Sequence, residues 1–410
     1  MPIDQVLNFE DTEKAFAYKS DSQLKKAKFL FSVMQFSPLV KIGSRLTPWA
    51  IKTGLPVKGI IKHTLFEQFV GGESLEDTAS VLNMLDSFKV KVILDYGVEG
   101  GEYGDAKYDI ETETFIKVLA FSATRKNIPF ISIKVTGLSS KSLLEKLNVT
   151  INKPTSDKLE NLIPSEIKKL KDEDQKAWDN IIKRTEKICS AAANLGVGVM
   201  IDAEESWIQD PIDQIAILMM EKFNKEKVVV YNTIQLYRSD RLQFLRDSYA
   251  HAKMNNYYVG LKLVRGAYME KERERAEKAG YPSPIQLDKF RTDEDYNEAI
   301  QLAFEKIDTC SVIIASHNEN SNLLAANLAH KTGIALNHNH LHFSQLYGMS
   351  DNLTFNLADA GFNVSKYLPF GPVEEVIPYL MRRAQENSSV SGQTSRELQL
   401  IYKEYKRRGI

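Results

Sequence analysis

The sequence predicts an α/β protein, a (β/α)8 TIM-like barrel with an N-terminal helical region. Three observations carry this reading. Eight short β-rich runs follow one another, longer amphipathic stretches separate them, and Ile3 to Leu85 contains no such run. Parallel neighbours in a sheet need a crossover between them, so strands alternating with helices in this number are what a closed barrel demands. A doubly wound open sheet alternates in the same way but rarely has so many units.

Taken in order, Ile3 to Leu85 shows helical spacing and turn signals, which predicts an arm or small lobe of short helices over residues 1–88. The expected strands are Val90 to Asp95, Phe130 to Thr136, Val197 to Asp202, Val228 to Leu236, Tyr258 to Val264, Ser311 to Ser316, Ala335 to Gln345 and Phe362 to Leu368, giving a barrel over 89–392. The longest gap, between the second and third runs, contains Ser139 to Lys187, rich in lysine, aspartate and glutamate. An inserted loop and a solvated helix are expected there. Residues 393–410 read as a helical tail ending in Lys403, Lys406, Arg407 and Arg408, cations that suit a helix C-terminus and are also a candidate membrane-surface contact.

The chain is 43 % hydrophobic and 26 % charged, as soluble globular proteins are, and its 53 basic and 54 acidic residues nearly cancel. A general nucleic-acid binder relies on a basic surface, so no nucleic-acid partner is expected. Met1 to Ser20 lacks the basic and apolar regions of a secretory signal, and its acidic residues do not suit a transit peptide. No window approaches the roughly 18 apolar residues that a spanning helix needs. Cys189 and Cys310 lie in apolar stretches and read as reduced core residues. The expected compartment is therefore the cytoplasm, with peripheral attachment at the inner face of the membrane left open. Oligomeric state is not legible.

Polar residues at the ends of hydrophobic barrel strands need a reason, because branched aliphatics fill most interior positions. Here Asp95, Lys134, Asp202, Gln235, Lys262 and His317 stand in or just after six successive runs. Catalytic residues of barrel enzymes gather at strand C-termini. Two lysines with two aspartates suit neither a polyanion nor a dense metal shell; small zwitterions fit better. After the fifth run, Arg265-Gly266-Ala267-Tyr268 carries small residues that let backbone N–H groups approach a phosphate. Neither G-x-G-x-x-G nor a P-loop occurs, so a nucleotide would be held by other means.

Arg382 and Arg383 lie in a helical stretch, where paired guanidiniums can grip a carboxylate and Glu386 can orient either. Neighbouring helical positions diverge by about 100°, so spacing alone favours a surface ion-pair cluster. His338, His340 and His342 alternate, which in a strand puts them on one face; a zinc site would still need a ligand from elsewhere. No metal is expected. A metal-dependent barrel hydrolase stays as a second class.

Two long blocks resemble the proline dehydrogenase family: Gly260-Leu261-Lys262-Leu263-Val264-Arg265-Gly266-Ala267-Tyr268, and Tyr367-Leu368-Pro369-Phe370-Gly371-Pro372 through Arg382-Arg383-Ala384-Gln385-Glu386-Asn387. Shorter blocks fall in the family's order, namely Phe69 to Ser74, Leu94 to Gly97, Ile201 to Glu205, Ile234 to Tyr237 and Ala315 to Asn318. The resemblance implies a barrel binding FAD non-covalently and transferring hydride from C5 of L-proline to flavin N5. The product would be 1-pyrroline-5-carboxylate, with electrons passed to a membrane quinone. It implies that Lys134, Arg382 and Arg383 hold the proline carboxylate, that Asp95, Tyr268, Leu346 and Tyr367 enclose the ring, and that Glu386 steadies the arginines. Asp202, Ala203, Gln235, Lys262, Arg265, Gly266, Ala267, Ser316 and His317 match positions lining FAD, with Asp202 and Lys262 as the catalytic candidates. A cation at Lys262 would stabilise the anionic reduced flavin. The second, NAD-dependent domain of the bifunctional relatives is not expected in a chain of this length. Hydroxyproline-specific relatives resemble the Tyr367 motif with a serine in that place, so hydroxyproline oxidation is the nearest alternative.

Overall fold

Each of the eight runs forms a strand in the computed structural model, which describes residues 7–35, 57–97, 101–151, 171–389 and 393–410. The strands are β1 (Lys91–Tyr96), β2 (Phe130–Ile133), β3 (Gly198–Ile201), β4 (Val230–Gln235), β5 (Val259–Val264), β6 (Cys310–Ala315), β7 (Leu341–Leu346) and β8 (Val364–Phe370). They close into a barrel in chain order. Their valines, isoleucines and leucines are buried on both faces, apart from the half-buried Val264 and Leu346 at strand ends, as parallel strands covered by helices require. Cys189 and Cys310 are free and buried.

Helices Lys141–Ile151 and Asp172–Leu195 fill the long gap before β3, and 152–170 of the expected insert lie outside the described residues. The second of these helices buries Trp178, Ile181, Thr185, Ile188 and Ala192 along one stripe. Gly196 ends it in the left-handed conformation, φ 71°, donating its N–H to Ala192 O.

The chain falls into two compact units. One comprises Met1–Gly97, His317–Asn322 and Phe343–Ile410; the other comprises Val98–Ser316 and Leu323–His342. In the first, Ser20 and Gln23 form a capping box that starts helix Asp21–Met34. Leu24, Ala27, Phe31 and Met34 of that helix share a core with Leu398, Ile401 and Tyr405 of helix Gln393–Arg408. Three basic residues near the end of this last helix are ion-paired: Lys403 with Glu10 at 3.1 Å, Arg407 with Glu404 at 2.8 Å, and Arg408 with Asp21 at 2.9 Å. In the second unit, Asp213 of helix Ser206–Phe223 receives Asn232 of β4 at 3.0 Å and Arg241 at 2.6 Å, tying helices to strand.

The histidine run departs from expectation. β7 begins at Leu341, because residues 335–340 turn on themselves through His338 N–H to Ala335 O and Leu341 N–H to His338 O. Only His342 belongs to the strand, where its ring meets Phe130 edge-on at 5.2 Å. His340 N–H donates to His338 Nδ1 at 3.2 Å, and His340 Nδ1 lies 2.6 Å from Ile307 O. Among the described residues no group of three or more histidine, cysteine, aspartate or glutamate side chains is placed to hold a metal ion.

Candidate active site

Side chains alternate across a strand, so one outward contact fixes the face of every neighbour in register. Asn232 points to the helix carrying Asp213, so Thr233 and Gln235, one and three residues further along β4, face away from that helix. Thr233 stands opposite Lys262, Tyr231 opposite Met200, and Met200 opposite Ser132. Two residues beyond Met200 is Asp202, and two beyond Ser132 is Lys134. The register thus brings Lys134, Asp202, Gln235 and Lys262 to one face, toward the C-terminal ends of β2 to β5.

All four are buried. Lys262 donates to the Asp202 carboxylate. Burial pushes the Asp202 carboxyl up, but the charges of Lys262 and Lys134 together with the Lys262 hydrogen bond outweigh it, leaving the group below its usual range. Asp202 is therefore an anion at neutral pH, held so by the Lys262 and Lys134 charges.

Beside it stands a carboxyl that the strand-end pattern does not single out. Glu204 accepts from Thr136 N–H at 3.2 Å and from Thr136 Oγ1 at 2.7 Å, while its own carbonyl receives Gln235 Nε2 at 2.7 Å. Burial, reinforced by the charge of Glu205, pushes Glu204 up to about 7. Glu205 is held below the usual range: burial raises it, but Lys141 and Lys271 prevail. The acidic pair directly after β3 was the available sequence signal; the difference in protonation between its members depends on partners from other elements.

After β5 the chain passes close to Tyr237. Gly266 has φ 136°, and a Cβ there would overlap the Tyr237 ring, so only glycine fits. Tyr237 N–H donates to Arg265 O at 2.7 Å, fixing the loop. Arg265 is clamped by Asp293 at 2.8 Å, donates to Ser316 Oγ at 2.6 Å and lies 4.3 Å from the centre of the Tyr296 ring. Ala267 is half-buried and Tyr268 buried. A half-buried backbone with almost no side chain, next to a clamped guanidinium, fits the phosphate portion of a dinucleotide such as FAD. Ala203 is a half-buried residue between Asp202 and Glu204.

In the other unit Lys366 of β8 reaches Asp351 of helix Asp351–Asp359 at 2.8 Å, which turns its neighbour Tyr367 to the face away from that helix. Tyr367 stands opposite Ile93 of β1 and Leu346 of β7, and Asp95 is two residues beyond Ile93. Asp95, Leu346 and Tyr367 thus share a face of three neighbouring strands. Arg382 and Arg383 lie in helix Val373–Ser389, the first half-buried and the second buried, with the Arg383 guanidinium 5.2 Å from the centre of the Tyr379 ring. Glu386 belongs to the same helix, and its side chain lies outside the described residues. His317 Nδ1 lies 2.9 Å from Ser350 Oγ.

The family model described as proline dehydrogenase matches residues 80–396. The chain is 33 % identical to proline dehydrogenase 2, mitochondrial, of Arabidopsis thaliana, over 98 % of this chain and 90 % of that protein. It is 31 % identical to proline dehydrogenase 1, mitochondrial, of Dictyostelium discoideum, over 97 % and 74 % respectively. It is also 30 % identical to the hydroxyproline dehydrogenase of Xenopus laevis, over 98 % and 90 %. Among solved structures, proline utilization A from Bdellovibrio bacteriovorus, inactivated by N-propargylglycine, superposes with a TM-score of 0.70 at 20 % identity. That match covers 83 % of this chain and 34 % of the solved one, so the chain spans about a third of that protein, and the likeness bears on fold alone. The cytoplasmic placement expected from the sequence is corrected by these relatives, whose names point to the mitochondrion.

Proposed function

We propose, from the premise that this chain belongs to the proline dehydrogenase family and is an enzyme of that kind, that it oxidises L-proline to 1-pyrroline-5-carboxylate with non-covalently held FAD and a membrane quinone as final acceptor. The flavin, when bound, supplies the two-electron acceptor for the hydride leaving proline C5. The observation that carries the reading is the buried Lys134, Asp202, Gln235 and Lys262 set, a paired-charge surface on one strand face next to the Gly266-Ala267 backbone.

In this reading Asp202, Ala203, Gln235, Arg265, Gly266, Ala267, Ser316 and His317 hold the cofactor, and Asp202 orients the Lys262 ammonium toward it. Arg382, Arg383 and Lys134 bind the substrate carboxylate, and Asp95, Tyr268, Leu346 and Tyr367 wall the ring, with Glu386 steadying the arginines. Loss of hydride from C5 requires an amine lone pair, so proline must first give up its ammonium proton and turnover rises with pH. Among the described residues no helix is long and apolar enough to cross a membrane. Reaction with a membrane-dissolved quinone would thus rest on peripheral contact.

The hydroxyproline dehydrogenase relative keeps a second substrate in view. Tyr367 decides between them: a phenol packed against ring carbon C4 leaves no volume for a hydroxyl, which costs about 1 to 3 kcal/mol, or roughly ten- to two-hundredfold. The test is kcat/KM for L-proline and trans-4-hydroxy-L-proline in the unmodified enzyme and in Tyr367→Ser. A clear preference for proline that shrinks in the variant is expected. Equal values in the unmodified enzyme would remove Tyr367 from the substrate pocket.

A further inference from the structure

We propose that the C-terminal helix Gln393–Arg408 positions His317 through a relay, Glu397 to Ser350 to His317, and so forms part of the cofactor site. The proposal rests on the reading above in one respect only, that His317 meets the flavin. The relay itself is a matter of geometry within one unit. Ser350 N–H donates to Glu397 Oε1 at 2.5 Å, its hydroxyl lies 3.3 Å from the same oxygen, and the hydroxyl oxygen lies 2.9 Å from His317 Nδ1. Ser350 and Glu397 are 4 % and 5 % exposed, so water has little access to the contacts between them.

Ser350 is the residue whose local structure needs explaining. It stands at the N-cap of helix Asp351–Asp359, where a serine ordinarily accepts an N–H from the first turn. Here it makes no such cap, and its backbone lies in the left-handed region, φ 49° and ψ 47°, which residues bearing a side chain avoid. Both sacrifices direct the hydroxyl toward Glu397 and His317. A strained position kept by its surroundings points to function rather than to helix stability.

The neighbouring residue of the same helix braces the other side. Arg396 Nε donates to Glu319 Oε1 at 2.8 Å, two residues beyond His317, and Asn352 Nδ2 donates to that oxygen at 3.0 Å, two residues beyond Ser350. Consecutive residues of one helix thus hold the segment after β6 and the segment after β7 together. A hydroxyl has one proton. An ionised Glu397 can only accept, so Ser350 donates to it and must accept from His317, which fixes the imidazole proton on Nδ1 and leaves Nε2 unprotonated. The charged and titratable groups packed around Glu397 are Asp351, Lys366, Lys19 and Tyr18. Burial and the Asp351 charge push Glu397 up to about 7, so the relay has this polarity on the alkaline side.

The test uses the full chain at pH 8, in Ser350→Gly and Glu397→Ala. Glycine suits the left-handed backbone, so Ser350→Gly removes the hydroxyl without loss of thermal stability. In flavin-free protein carrying 15N-histidine, NMR of the unmodified chain is expected to show His317 protonated at Nδ1, and both variants to lose that tautomer preference. Titration with FAD is expected to give about a tenfold weaker Kd in both. An unchanged His317 signal in both variants would overturn the relay. An altered signal with unaltered FAD affinity would overturn its service to the cofactor. Failure of the unmodified chain to bind FAD would overturn the functional reading and the cofactor part of this proposal together, and the flavin-free NMR result separates that outcome from failure of the relay.

Discussion

Arg382 and Arg383 occupy consecutive positions of one helix, yet the second is buried and the first only half so, which gives their loss different weights. Removing one partner of a buried, hydrogen-bonded charge pair costs about 2 to 5 kcal/mol. Arg383→Met is therefore expected to raise the proline KM strongly, and Arg382→Met less so, while FAD is retained. Unchanged KM and kcat in both variants would sink the carboxylate assignment. At Gly266 the constraint is steric: with φ 136° and the Tyr237 ring where a Cβ would stand, Gly266→Ala must shift the loop. Weak FAD retention on purification is expected, and full occupancy would show that the loop does not cradle the cofactor. Asp202, Lys262 and Gly266 were legible because each breaks a local rule, a charge in a strand or glycine after one. Glu204 was not, since its protonation arises from Thr136 and Glu205 meeting around it in three dimensions.

The strands were legible as elements because continuous β-branched runs flanked by turns have few alternatives in a protein of this length. The start of β7 was not, because Asn337-His338-Asn339 alternates like a strand while its backbone hydrogen bonds close locally. Helix Ser206–Phe223 shows another limit of sequence reading. Its N-cap residue Glu205 makes no side-chain cap; instead Glu272, from helix Met269–Ala279 and wholly buried, accepts Ser206 N–H and Ser206 Oγ at 2.6 Å each. A carboxylate at a helix N-terminus answers both the orphan N–H groups and the macrodipole. Glu272→Ala leaves that end unsatisfied, and a loss of about 1 to 3 kcal/mol is expected in urea unfolding. A loss below about 0.5 kcal/mol would mean that water replaces the carboxylate there.

For the whole molecule, buried carboxyls set the pH response. Glu204 is raised to about 7 from an ordinary 4.5, so between those values the folded chain holds a proton that the unfolded chain has released. Its stabilising contribution is complete below about pH 4.5 and is lost as pH rises through about 7. Relative to Glu204→Gln, which stays neutral, the unmodified chain should lose on the order of 3 kcal/mol across that window. Parallel curves for the two proteins would contradict the buried position. The (β/α)8 closure was legible from the count and order of runs, but the joining of both chain ends through Leu24, Phe31, Leu398 and Ile401 in one core was not, because no local pattern reports a contact across most of the chain. The central claim is that this barrel holds a flavin which L-proline reduces. An absorption spectrum of the purified protein under anaerobic conditions, before and after L-proline is added, tests it most directly. Oxidised flavin bands that bleach with proline are the result expected, whereas a protein without flavin bands, or bands that proline leaves unchanged, would contradict the account.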